Sequence, residues 1–188
     1  HRQGPGQQRC ASDQRKHCQE SPCQEACPTG AIIRNEFGGI YYQTDICMGC
    51  RMCVAACPFG VPEVSEETGH SMKCAGCYDR LRDGLKPACA TACTTTAIQF
   101  GPREEMVEKA RARLATLHDQ GFEKANLYGV DSFQHYKPLN SFYLLMDEPA
   151  VYGLPNQPKL PVRFMVGDYA NAIGTLLIAT IAIIVCLL

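Results

Sequence analysis

The chain has 188 residues, a formal net charge of −1, thirteen cysteines and no tryptophan. This balanced charge provides no basic surface for nucleic acid, so we expect no nucleic-acid partner. Twelve of the cysteines lie between Cys10 and Cys93. Their repeated C-x2-C pairs are typical of metal centres, whereas a secreted disulfide scaffold usually spreads its cysteines along the chain.

The first cysteine motif follows a polar, aperiodic lead-in over residues 1–17. It contains Cys18, Cys23 and Cys27, separated by four and three residues, and ends in a Cys-Pro pair. Two short apolar stretches, 31–34 and 39–42, then flank an Asn-Glu-Phe-Gly segment. This pattern predicts a short β-hairpin.

The second motif contains Cys47, Cys50, Cys53 and Cys57, with spacings of two, two and three residues, and closes with Pro58. This C-x2-C-x2-C-x3-C-P run is the ligand pattern of bacterial ferredoxins, in which the fourth cysteine binds the neighbouring cluster. A zinc site is the alternative for closely spaced thiolates. Two cysteine motifs joined by a small hairpin predict the repeated unit of a two-cluster ferredoxin.

The third motif pairs Cys74 and Cys77 with Cys89 and Cys93, and eleven residues separate Cys77 from Cys89. A zinc ribbon can share this spacing. Beside two other cysteine motifs we interpret it as a further cluster site. The apolar stretch 97–100 repeats the pattern that follows Cys27, which predicts another short strand.

The second half of the chain is poor in cysteine. Residues 102–120 have a helical pattern, with Met106, Ala110, Leu114 and Leu117 on one face. Residues 122–165 are rich in Tyr, Pro and Gly, and we expect an extended arm over the cluster module or a partner, with a strand over 141–146. Residues 170–188 carry no charge; as a helix they would span about 28 Å, which predicts a membrane-spanning segment.

The sequence contains no nucleotide-binding loop and no nucleophile–base pair. Iron–sulfur clusters move single electrons, so several cluster sites without a catalytic constellation indicate an electron-transfer subunit that is not itself catalytic. The chemistry on the substrate would then take place in a partner.

The motifs together resemble the iron–sulfur (beta) subunit of membrane-bound formate dehydrogenase, within the four-cluster family that serves molybdopterin oxidoreductases. The resemblance covers roughly residues 15–188. It rests on the three cysteine motifs, on Asp79-Arg80, on the Ala97 to Gly101 stretch and on the Tyr152-Gly-Leu-Pro155 stretch.

The resemblance implies a set of ligands exchanged between paired motifs. Cys27 joins Cys47, Cys50 and Cys53 on one cluster, and Cys57 joins Cys18 and Cys23 on its neighbour. Cys74, Cys77 and Cys89 hold a third cluster together with a cysteine from an N-terminal motif. Cys93 completes a fourth. The expected cofactors are therefore three or four 4Fe-4S clusters.

Two departures from the family pattern affect this ligand set. The family's first C-x2-C-x2-C-x3-C run is missing, which we attribute to truncation. Arg15 stands where a cysteine is expected three residues before Cys18. Cys10 either replaces that ligand through a longer loop or is a free thiol.

The predicted fold class is α+β: a tandem bacterial-ferredoxin-like (2×4Fe-4S) domain over 1–101, a helix and extended arm over 102–165, and a transmembrane helix over 166–188 that is truncated at its C terminus. The helix would anchor the cluster domain on the periplasmic or outer face of the membrane. The expected partners are a molybdopterin-containing catalytic subunit and an integral membrane cytochrome b or quinone-reactive subunit. The alternatives are an iron–sulfur subunit of a membrane-bound nickel–iron hydrogenase and a membrane-tethered zinc-binding interaction module.

Overall fold

The computed structural model describes residues 16–160, 169 and 171–180. Its helices are α1 Pro22–Glu25, α2 Met52–Ala56, α3 Tyr78–Arg82, α4 Ala88–Ala92 and α5 Arg103–Asp119. Its strands are β1 Ile32–Arg34, β2 Ile40–Tyr42, β3 Glu63–Val64, β4 Ser71–Met72, β5 Asn126–Tyr128 and β6 Tyr143–Leu145. A 3-10 turn covers Pro149–Tyr152.

The strands form three antiparallel pairs, β1 with β2, β3 with β4, and β5 with β6. In the first pair Ile32 lies opposite Tyr42 and Arg34 lies opposite Ile40. Gly38 takes a left-handed conformation, φ 73°, in the turn between these strands, where glycine carries no steric penalty. The predicted first hairpin is confirmed.

One hydrophobic core joins this hairpin to the two helices beside it. It contains Cys23 of α1, Ile32, Ile40, Tyr42 and Cys53 of α2. The hairpin and the two cysteine-bearing helices therefore pack around cysteine side chains. The predicted ferredoxin-like unit fits the structure.

The second half of the chain packs against the first. Helix α5 turns Leu117 inward and half-buries Met106, Ala110 and Leu114, as predicted. Strand β6 lies within the predicted 141–146 segment. A second core joins this half to the first cysteine motif; its buried members are Cys18, Tyr128, Tyr136, Leu139, Leu145 and Leu160.

The predicted strand over 97–100 is wrong. These residues form a bend and irregular backbone. Among the described residues, none of the strands pairs with this stretch. Without a partner its backbone has no ladder of hydrogen bonds, so apolar pattern alone does not make it a strand.

The prediction of a transmembrane anchor is also corrected. Residues 169 and 171–180 are helical. In the part of the chain that the structure describes, no helix is long and apolar enough to cross a membrane. Residues 166–168, 170 and 181–188 of the predicted span lie outside the described residues. This finding contradicts the transmembrane anchor in the predicted fold class. It also contradicts the predicted membrane-anchored location on the outer face.

Candidate metal centre

Four cysteines from the first two motifs surround one cavity. Cys27 approaches from the end of α1, and Cys53 lies in the first turn of α2. Cys47 and Cys50 come from the loop between β2 and α2. The cavity is also lined by Thr29, Ala31, Ile32, Tyr42, Met48 and Ser71. The fold therefore brings thiols from both motifs together around one cavity.

Hydrogen bonds reach three of these sulfurs. The Ser71 backbone N–H donates to Cys47 Sγ at 3.4 Å, and the Cys53 thiol donates to the Ser71 hydroxyl at 3.2 Å. The Thr29 hydroxyl lies 3.6 Å from Cys27 Sγ. Burial acts to raise the pKa of the Cys27 thiol, but the hydrogen bonds from the Thr29 hydroxyl and neighbouring backbone N–H groups outweigh it and lower the pKa. At Cys27 these contacts favour the thiolate, which is the metal-binding form of cysteine.

The loop that carries Cys47 and Cys50 is tightly wound. Gly49 has φ 72°, and Arg51 is a non-glycine residue with φ 63°. A Cβ at Gly49 would stand 2.5 Å from the carbonyl oxygen of Gly69. The His70 ring Nδ1–H donates to the carbonyl of Cys47 at 2.7 Å. The hairpin β3–β4 therefore holds the ligand loop from outside.

A second set comprises Cys18, Cys23 and Cys57. Burial raises the pKa of the Cys18 thiol to about 11, against the lowering effect of the Tyr136 hydroxyl, and the Cys23 and Cys57 thiols raise it further. Burial likewise raises the pKa of Cys23, with Cys57 among its neighbours. The three sulfur atoms are close enough to influence one another, so Cys57 lies with the first motif although it belongs to the second.

Arg34 fixes the backbone of this second set. Its guanidinium donates to the carbonyl oxygens of Cys18 at 2.8 Å and Gln19 at 2.9 Å. It also donates to the Ser21 hydroxyl at 3.0 Å and to the Gly38 carbonyl at 3.0 Å. One side chain thus ties the Cys18 loop to the hairpin between the two cysteine sets.

The two sets meet inside the first core. Cys23 of the second set and Cys53 of the first are buried in the same cluster of side chains, with Tyr42 beside both. Two metal centres held by these sets would be neighbours, separated by protein that excludes water.

The third motif is placed differently. Cys74 and Cys89 are exposed, and Cys77 and Cys93 are partly exposed. Three of the sulfurs accept a backbone N–H at 3.4 Å: Cys74 from Gly76, Cys77 from Ala88 and Cys93 from Ile98. Cys77 precedes α3 and contacts the start of α4, which carries Cys89. The structure therefore places Cys77 beside the helix that carries Cys89.

Cys10 lies outside the described residues, so its role as a ligand or free thiol stays a prediction. Within the described part of the chain, no three His, Cys, Asp or Glu side chains form a group that could hold a metal ion. The thiols of the first set instead line the wall of a cavity.

The donor set fits an iron–sulfur cluster. Four thiols around one cavity, with backbone N–H groups directed at sulfur, are the protein features on which such clusters depend. Buried hydroxyl groups of Tyr42 and Tyr136 point to the same conclusion, since neither has a hydrogen-bond partner in the described structure. Sequence reasoning missed these two tyrosines, Ser71 and Arg34. The contacts that involve Ser71 and Tyr136 come from residues distant in sequence, so no local pattern reveals them.

These features define an iron–sulfur protein of the two-cluster ferredoxin type. The model of the 4Fe-4S dicluster domain family matches residues 7–103, just over half of the chain. The chain therefore belongs to the 4Fe-4S dicluster domain family, and its cofactors are 4Fe-4S clusters. The zinc alternative is set aside.

Relatives of known function agree with this assignment. The chain is 39% identical over 148 residues to the iron–sulfur subunit of nitrate-inducible formate dehydrogenase from Escherichia coli, covering 77% of the chain and 49% of the relative. It is 41% identical over 151 residues to the formate dehydrogenase iron–sulfur subunit of Haemophilus influenzae, covering 77% and 46%. The B subunit of the anaerobic dimethyl sulfoxide reductase of Escherichia coli is 42% identical over 113 residues, covering 59% and 55%.

The predicted resemblance to formate dehydrogenase iron–sulfur subunits is confirmed by these relatives. The chain spans about half the length of the curated relatives that it matches.

Proposed function

We propose that this chain is an electron-transfer subunit of an oxidoreductase complex and takes no part in the chemistry on the substrate. The observation that carries the proposal is the shared core of Cys23 and Cys53, because it places the two cysteine sets side by side. When bound, 4Fe-4S clusters supply one-electron redox chemistry. The names of the relatives, which are subunits of formate dehydrogenase and of dimethyl sulfoxide reductase, support the same function.

The proposed ligands of the first cluster are Cys27, Cys47, Cys50 and Cys53, supported by the cavity that these four residues line. Those of the second are Cys18, Cys23 and Cys57, supported by the burial of Cys18 and Cys23 and by the electrostatic effect of Cys57 on both. Cys74, Cys77 and Cys89 are proposed as ligands of a third cluster and Cys93 as a ligand of a fourth, on the resemblance alone. Cys10 keeps its proposed role beside the second set.

The residues around the two inner sites have defined tasks. The cysteines bind iron as thiolates, and the Ser71 backbone N–H donates a hydrogen bond to Cys47 Sγ of the first set. The apolar side chains of Ile32 and Ile40 keep water from the space between the sets. Arg34 holds the Cys18 loop in place through its contacts with backbone carbonyls.

The proposed partner is a molybdopterin-containing catalytic subunit, with formate as the substrate that the relatives' names favour. A membrane cytochrome b or quinone-reactive subunit as the second partner rests on the resemblance alone. We also propose the division into a cluster domain over 1–101 and a helix with an arm over 102–165. Helix α5, which begins at Arg103, supports that boundary.

Rapid-freeze EPR of the complex tests this function. The full chain is purified anaerobically with its catalytic subunit, oxidised, and mixed with formate. Reduced-cluster signals that rise as fast as turnover support electron transfer through this chain. If the catalytic subunit turns over with an artificial acceptor while the cluster signals stay oxidised, the proposal is wrong. A Cys57→Ser complex should turn over with the artificial acceptor and lose the signal assigned to the second cluster.

A further inference from the structure

Two tyrosine hydroxyls are buried without a partner. The Tyr42 and Tyr136 side chains are 9% and 3% exposed, and neither hydroxyl makes a hydrogen bond of normal geometry in the described structure. An unsatisfied buried hydroxyl lowers the stability of the folded state. Such groups are rare and require an explanation in each case.

Both hydroxyls lie beside the second cysteine set. Tyr42 is close to Cys23, and Tyr136 is close to Cys18, near enough that each thiol raises the pKa of its tyrosine in addition to the larger effect of burial. Tyr42 shares one buried cluster with Cys23, and Tyr136 shares the other with Cys18. Both tyrosines stay protonated at neutral pH, so each can act only as a donor toward a sulfur acceptor.

Tyr128 provides the contrast. It is buried in the same core as Tyr136, but its hydroxyl donates to the backbone carbonyl of Pro155 at 2.6 Å. Buried tyrosines in this core can therefore find protein acceptors. Tyr128 also lies near Cys18, whose thiol raises the pKa of Tyr128 in addition to the larger effect of burial. Its hydroxyl already has an acceptor, whereas those of Tyr42 and Tyr136 have none.

A bound cluster changes the hydrogen-bond acceptors next to the Tyr42 and Tyr136 hydroxyls. A neutral thiol is a weak acceptor, whereas a cysteine that binds metal is a thiolate. Charge on the acceptor strengthens the hydrogen bond to about twice that of a neutral pair. The two hydroxyls thus gain the partners that they lack.

We propose that Tyr42 and Tyr136 donate hydrogen bonds to the sulfur atoms of the cluster held by Cys18, Cys23 and Cys57, and thereby raise its reduction potential. The sign follows from charge: reduction adds an electron, and donors stabilise the more negative state. Hydrogen bonds to sulfur are among the determinants of cluster potential. The proposal rests on the ligand set given above.

The second half of the chain contributes directly to this site. Tyr136 lies three residues before Leu139, which pairs with Cys18 in a β-bridge. The Asn140 N–H donates to the His17 carbonyl at 2.9 Å, and the Gln19 N–H donates to the Pro138 carbonyl at 3.3 Å. These contacts flank Cys18 on both sides and hold the Tyr136 ring against it.

Potentiometric EPR on the anaerobically purified full chain tests the proposal. Cys57→Ser first identifies the signal of the second cluster. Tyr136→Phe and Tyr42→Phe should each lower the midpoint potential of that signal by up to about 59 mV. For a one-electron couple this shift corresponds to an about tenfold change in the ratio of oxidised to reduced cluster at a fixed potential. Tyr128→Phe is the matched control and should leave the potential unchanged.

Iron and acid-labile sulfide are measured on every variant. If Tyr136→Phe and Tyr42→Phe keep the wild-type cluster content and the wild-type potential, the proposal is overturned while the electron-transfer function stands. If the wild-type protein holds no iron and sulfide, the proposed function and this inference both fail. Shifts of equal size in Tyr128→Phe would also overturn the inference, since that hydroxyl has its own acceptor.

Discussion

Gly49 and Gly69 are in direct contact: a Cβ at position 49 would stand 2.5 Å from the carbonyl oxygen of Gly69. Gly49 lies between Cys47 and Cys50, and Gly69 lies in the turn of the β3–β4 hairpin. The close approach of two backbones locks the ligand loop against this hairpin. Substitutions here should therefore affect cluster binding before they affect the rest of the fold.

Gly49→Ala should reduce the iron content of the purified protein. The substitution adds a clash with backbone to the roughly 1–2 kcal/mol cost of a left-handed conformation. Gly60→Ala is the control, because Gly60 has φ 63° with nothing within 4 Å of its Cβ position. Iron and sulfide analysis should show a larger loss for Gly49→Ala. Equal losses would mean that the contact with Gly69 is unimportant.

Ser71→Ala should lower the midpoint potential of the first cluster. The Cys53 thiol donates to the Ser71 hydroxyl at 3.2 Å. A Cys53 thiolate bound to iron has no proton to give, so the hydroxyl would then be the donor, and removing it would destabilise the reduced state. The backbone N–H to Cys47 remains, so the cluster should still bind. Ser65→Ala in the same hairpin, whose hydroxyl accepts from the Thr68 N–H, should leave the potential unchanged. Potentiometric EPR compares the two, and identical potentials for both variants would refute the assignment.

Leu139→Ala should destabilise the fold by about 2–5 kcal/mol, because it leaves a cavity in the core that joins the arm to Cys18. Leu139 is 0% exposed. Leu85→Ala removes the same atoms from a side chain that is 50% exposed, and should cost far less. Urea unfolding followed by circular dichroism measures both. Similar unfolding midpoints would show that the arm does not depend on this core.

Removal of the clusters should unfold most of residues 16–100. Helices α1 to α4 have four or five residues each, and the sheets have two strands; such elements are not stable alone in water. Helix α5 has seventeen residues and should keep part of its signal. Far-ultraviolet circular dichroism after iron chelation under oxidising conditions should show partial loss of structure. An unchanged spectrum would mean that the fold does not need its clusters.

The sequence predicts the cysteine ligands of this site better than it predicts the residues that surround them. The spacing of Cys47, Cys50 and Cys53 follows from the need of one cluster for several thiolates on a short loop. Tyr136 reaches Cys18 only through packing of the second half of the chain, and no local pattern records that contact. The apolar stretch 97–100 lacks a partner strand among the described residues, which local pattern cannot reveal.

The anchor prediction failed for a related reason. A window of uncharged residues measures hydropathy alone, whereas crossing a membrane also requires a continuous helix of sufficient length. No helix in the described part of the chain is long and apolar enough to meet that requirement.

Exchange of ligands between the two cysteine motifs is the central claim. Paired serine substitutions, followed by EPR on the dithionite-reduced protein, address it directly. We expect Cys27→Ser and Cys50→Ser to perturb the same signal, although Cys27 and Cys50 belong to different motifs. We expect Cys57→Ser to perturb a different signal from Cys53→Ser, although only three residues separate them. If Cys57→Ser instead perturbs the signal lost in Cys53→Ser, each motif holds its own cluster and ligand exchange is refuted.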